Sequence, residues 1–73
     1  MMEYVVLRDE ETGEIEKIGR FGDQFLQEKF HQGRWIWDSF LDRELLDGLL
    51  EKISEAEAER LVALRNRHEK IAA

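Results

Sequence analysis

Gly33 stands directly before Arg34, Trp35, Ile36 and Trp37, a run of aromatic and β-branched residues with low helix propensity. A helix crossing this stretch would have to accommodate both the glycine and the run. The segment "QEKFHQGRWIW" therefore reads best as a hairpin turning at His31–Gln32–Gly33. Residues 23–30 also fit a short amphipathic helix opened by Asp23, with Phe25, Leu26 and Phe30 on one side; the hairpin is the favoured reading. In a strand Trp35 and Trp37 share one face and Ile36 takes the other, because side chains alternate with period two.

The flanking segments extend this pattern. "EYVVLR" is β-branched and aromatic and predicts a strand over Glu3 to Arg8; "DEETGE" is a turn whose Gly13 suits a left-handed conformation. "EIEKIGR" is the returning strand, in which Ile15 and Ile18 lie three apart and reach one face only through a bulge or strand end near Lys17. Gly19 and Gly22 are assigned to the exit from this hairpin. After Trp37, Asp38 or Ser39 caps a helix of about Ser39 to Asp47, and Gly48 supplies its left-handed end. "LLEKI" is a connection. Ser54 and Glu57 form a capping box for a second helix, from about Glu55 towards Ile71, with Leu61, Leu64, His68 and Ile71 on its apolar stripe.

These elements predict one α+β domain over residues 1–73: an antiparallel meander of three or four strands, packed on one face by two C-terminal helices. A single core of this size supplies only about 3–5 kcal/mol. The chain has no cysteine, so neither disulfides nor thiolate zinc sites support it, and self-association is the simplest remaining help. With no basic leader at "MMEYVVLRDE" and no long apolar run, a cytoplasmic protein without membrane contact is expected.

Side chains suited to catalysis are scarce. Ser39 and Ser54 are explained as helix caps, His31 as a turn residue and His68 as a residue near a helix C-terminus. Neither histidine has a second ligand at helical spacing, and Asp9, Glu10, Glu11 and Glu14 lack the ligand pattern of a calcium loop. "GRFG" lacks the spacing and lysine of a phosphate loop. The reading is a non-enzymatic chain with no cofactor and no metal. A net charge of −6 argues against general nucleic-acid binding. Arg60, Arg65, Arg67 and Lys70 are the nucleic-acid candidates, but Arg65 and Arg67 diverge by roughly 200° around a helix, and dipole complementarity accounts for them without a ligand.

The succession "QGRWIWDSFLDRELLDG" and "ISEAEAERLV" resembles short uncharacterised bacterial proteins with a glycine-tryptophan strand, an acid-capped leucine helix, a "DG" and an "ISEEEA"-type helix start. The resemblance covers about Tyr4 to Val62 and lacks the pattern's proline after Trp37–Asp38. It implies the order of elements and a bacterial or phage-like context, and it transfers no activity. The expected function is a protein-interaction module that self-associates or binds another protein, with Trp35, Ile36, Trp37, Leu61, Leu64 and Ile71 as interface candidates. The alternative is a nucleic-acid-linked regulator, acting through the basic helix or as an acidic nucleic-acid mimic. At least one tryptophan is expected in the core.

Overall fold

In the computed structural model the backbone is described for residues 1–72 and side-chain surroundings for residues 1–67. The elements follow as β1 (Glu3–Arg8), β2 (Ile15–Phe21), β3 (Gln27–His31), β4 (Arg34–Trp37), α1 (Leu41–Leu46), β5 (Leu50–Ile53) and α2 (Glu55–Ala72). The strands form one antiparallel sheet in the order β4-β3-β2-β1-β5. The small α+β fold stands as expected. The sheet has five strands instead of three or four, and only α2 is C-terminal. "LLEKI" is not a mere connection: β5 pairs with the outer edge of β1, where Arg8 Nε donates to Glu51 at 2.7 Å and Lys52 Nζ to Glu3 at 3.2 Å.

Local chemistry accounts for the turns. At the first hairpin Asp9 Oδ1 accepts the N–H groups of Glu11 and Thr12 at 2.7 and 3.1 Å. The Thr12 and Glu11 backbone donors hold the Asp9 carboxyl below its ordinary value. The register steps from Leu7↔Lys17 to Arg8↔Ile15, leaving Glu16 as the extra residue of a bulge. That bulge returns Ile15 to the face of Ile18. The β3–β4 turn has positive φ at both Gln32 (50°) and Gly33 (84°), the conformation a two-residue hairpin requires, and closes on the pair His31↔Arg34. A hairpin, not a helix, therefore occupies residues 27–37.

The helices lie on opposite faces of the sheet, not together on one. Val6, Ile18 and Phe30 form the buried cluster beneath α2, with Ile15, Trp35, Ile53, Leu61 and Val62 packed around it. Val5 and Gly19 pair in the alternate register, so their side-chain positions face the other way, and there they meet Leu41 of α1. Full burial of side chains such as Val6 and Ile18 contributes roughly 1.5–3 kcal/mol each. Two helices on two faces is the outcome of the long return from β4 at one edge to β5 at the other. Among the described residues no helix is long and apolar enough to cross a membrane.

Candidate interaction surface

The surface is built around α1, which has little of its own to hold it down. Its six residues bury one side chain, Leu41. Gly19 makes the seat: a Cβ there would lie 2.8 and 3.1 Å from the two Leu41 methyls and 3.2 Å from a methyl of Val5. Gly19 is thus an interior strand residue that a helix side chain presses against, not part of a hairpin exit. The second anchor is ionic. Lys17 Nζ donates to Asp38 Oδ2 at 2.6 Å and to Glu44 Oε1 at 2.5 Å, tying β2 to the turn before α1 and to the helix.

Asp38 also accepts the Phe40 N–H through Oδ1 at 3.0 Å. Asp38 therefore orders the turn that leads into the helix, whose N-cap position is occupied by Phe40. Burial alone would raise the Asp38 carboxyl; the Lys17 hydrogen bond, the Phe40 N–H and the charges of Lys17 and Lys29 outweigh it and hold it below its ordinary value. Burial likewise opposes the Lys17 ammonium, and its bonds to Asp38 and Glu44 outweigh that and raise it. At the far end Gly48 (φ 74°) donates to Leu45 O at 3.1 Å and Leu49 to Glu44 O at 3.0 Å, as the expected left-handed cap requires. The helix so placed turns Leu41 inward and leaves Leu45 and Leu46 outward, at 50% and 86% exposure.

A second element meets this helix edge. Between β2 and β3 the chain closes on itself, with the Gly22 N–H bonded to Leu26 O at 3.0 Å. Leu26 packs on Gly22, where a Cβ would come within 2.8 Å of a Leu26 methyl. The turn is made by Gln24 and Phe25, both left-handed, at φ 57° and 63°. For a bulky residue such as Phe25 this conformation costs on the order of 1–3 kcal/mol. It carries the ring out into water at 94% exposure. Together with Phe21, Leu26, Trp37, Asp42 and Leu45 the ring lines an open hollow of about 490 Å³.

The interface candidates are divided by the structure. Trp35 is half-buried: its ring stands edge-on to Phe30 at 5.5 Å and tilted to Tyr4 at 6.2 Å, and the Arg20 guanidinium lies 4.2 Å from its centroid. Glu28 holds that guanidinium at 2.7 Å. Trp35 is core packing, as expected of at least one tryptophan. Trp37, two residues on, is 59% exposed at the strand end and joins the hollow with Phe25 and Leu45. Ile36 is half-buried on the α1 side of the sheet, opposite Lys29 in register. Leu61 packs onto the cluster beneath α2, Leu64 is 40% exposed, and the Ile71 side chain lies outside the described residues. Phe25, Leu45 and Leu46 were absent from the sequence candidates; a phenylalanine between Gln24 and Leu26 carries no local sign of its backbone conformation.

The basic residues have intramolecular duties. Arg60 donates to Glu57 through Nε at 3.1 Å, and Arg65 donates to the Ile15 carbonyl at 2.5 Å, pinning α2 to the start of β2. Arg67 is exposed, and the side chains of Lys70 and His68 lie outside the described residues. Ser54 caps α2 by accepting the Glu57 N–H at 3.1 Å, and the Glu57 carboxylate is turned to Arg60. Among the described residues no group of three or more His, Cys, Asp and Glu side chains is placed to hold a metal ion. No family model, curated protein or solved structure matches this chain.

Proposed function

We propose that this chain is a non-enzymatic protein-interaction module of the cytoplasm, which works by burying the apolar face formed by the β2–β3 turn and α1 against another polypeptide. The observation that carries the reading is the exposure of Phe25, Trp37 and Leu45, at 94, 59 and 50%, around one hollow, with Leu46 at 86% on the same short helix as Leu45. The two rings alone leave on the order of 300 Å² open, and with Leu45 the area lies within the roughly 300–600 Å² that the largest patch of a monomer presents. Among the described residues Phe25 and Leu46 are left almost fully open and Trp37 and Leu45 about half open, and Phe25 is held outward against its own backbone preference. The engagement of Arg60 and Arg65 within the fold counts against the nucleic-acid alternative.

A photoreactive amino acid placed at position 46 in living cells tests the proposal. A discrete covalent adduct is expected, abolished by Phe25→Gly, with none from the same probe at position 10 in the exposed hairpin tip. Equal labelling from both positions, or none from position 46, overturns it.

A further inference from the structure

We infer that the partner on this face is a second copy of the same chain, arranged about a two-fold axis so that Phe25 of each copy enters the hollow of the other. The inference rests on the interaction-module reading above and names its partner.

A protruding ring and a recess of matching character lie side by side on one surface. Phe25 stands out at 94% exposure from the rim of the recess, which it lines together with Phe21, Leu26, Trp37 and Leu45. A knob adjacent to a hole is self-complementary under a two-fold rotation, since whatever one copy offers the other receives. With a knob and no recess, the surface would instead need a differently shaped partner. The area agrees. A standard interface takes about 800 Å² from each side, a little over half of it apolar, and the exposed rings with Leu45 approach that apolar share.

Charge sets no barrier to a second copy here, although the chain carries −6. The lining of the hollow holds one charged side chain, Asp42, and exposed Arg43 follows it on α1. Glu44 shares the Lys17 ammonium with Asp38, so this trio adds a single, largely buried negative charge to the field. The acids of the first hairpin tip belong to a different lining, with Leu7 and Leu49. The φ of Phe25 supplies a clean probe: glycine adopts 63° without strain, so Phe25→Gly removes the ring while leaving the turn at least as stable.

Light scattering on the full chain across micromolar concentrations is expected to give the mass of two chains, and Phe25→Gly to weaken dimerisation by about 30-fold or more, the scale of a hot-spot aromatic. Unchanged circular dichroism of the variant excludes misfolding as the cause. A photoreactive probe at position 25 is expected to join the Trp37 or Leu45 region of a second copy. A monomer at every concentration, with an adduct to a different protein in cells, overturns the dimer and leaves the module standing. A monomer without any adduct overturns both. A dimer indifferent to Phe25→Gly, or cross-linked elsewhere, overturns the two-fold arrangement.

Discussion

Replacing Lys17 by methionine removes the one cation between two carboxylates while keeping most of the aliphatic stem. In the folded protein the Lys17, Asp38 and Glu44 side chains are only 16, 3 and 18% exposed, so water screens their attraction weakly. Removing one partner of such a pair leaves the other charge stranded, at a cost of about 3–5 kcal/mol. Glu44 sits on a short helix and can turn towards water, which places the expected loss near 3 kcal/mol, or about 12–24 °C of midpoint for a domain of this length. Urea unfolding followed by circular dichroism, with the thermal midpoint alongside, measures it.

The pH dependence separates this cause from simple repacking. Asp38 is held below its ordinary value of 3.8, so its contribution is complete above that value and disappears as pH falls through the folded one. Lys17 is held above its ordinary 10.5, so its contribution is complete below 10.5 and disappears as pH rises through the folded value. A stranded carboxylate is relieved by taking up a proton, so the gap between wild type and Lys17→Met is widest at about pH 7 to 9 and closes at both ends. Adding Asp38→Asn and Glu44→Gln to Lys17→Met restores part of the loss, because no stranded charge remains. A gap below about 1 kcal/mol at pH 7, or one that persists unchanged to pH 2, would refute the argument.

The other tests address packing. Trp35→Ala lowers monomer stability by about 2–4 kcal/mol and Trp37→Ala by less than about 1, with acrylamide quenching stronger for Trp37 than for Trp35 when each is the sole tryptophan. Gly19→Ala forces Leu41 and Val5 apart and costs about 1–3 kcal/mol in urea, with hydrogen exchange accelerated first in α1. Ser54→Ala removes the α2 cap and costs about 1 kcal/mol, read as lost helicity and a lower midpoint.

Several features were legible in the chain because neighbouring residues decide them. Gly33 before an aromatic, β-branched run, Ile15 and Ile18 around Lys17, Gly48 after a leucine helix and Ser54 before an acidic turn each state their backbone conformation within four residues. The fifth strand was not legible. "LEKI" has no alternation of its own, and it becomes a strand because the outer edge of β1 presents unpaired backbone groups to it. The candidate surface was legible only in part: Trp37 was named, but as the inward companion of Trp35.

By itself the sequence determined the meander, its bulge and the Ser54 start of α2; α1 begins later than a cap at Asp38 or Ser39 would start it, with Phe40 in its N-cap position. The meander, the bulge and the Ser54 cap follow from turn chemistry and propensity, which act over a few residues. Only the tertiary structure decided that the helices take opposite faces, that Gly19 seats Leu41, and that Phe25 is held outward beside Trp37 and Leu45. The physical reason is that exposure belongs to the packed sheet: the same alternation that brings Trp35 under Arg20 carries no information about where the sheet ends, and Trp37 lies at that end.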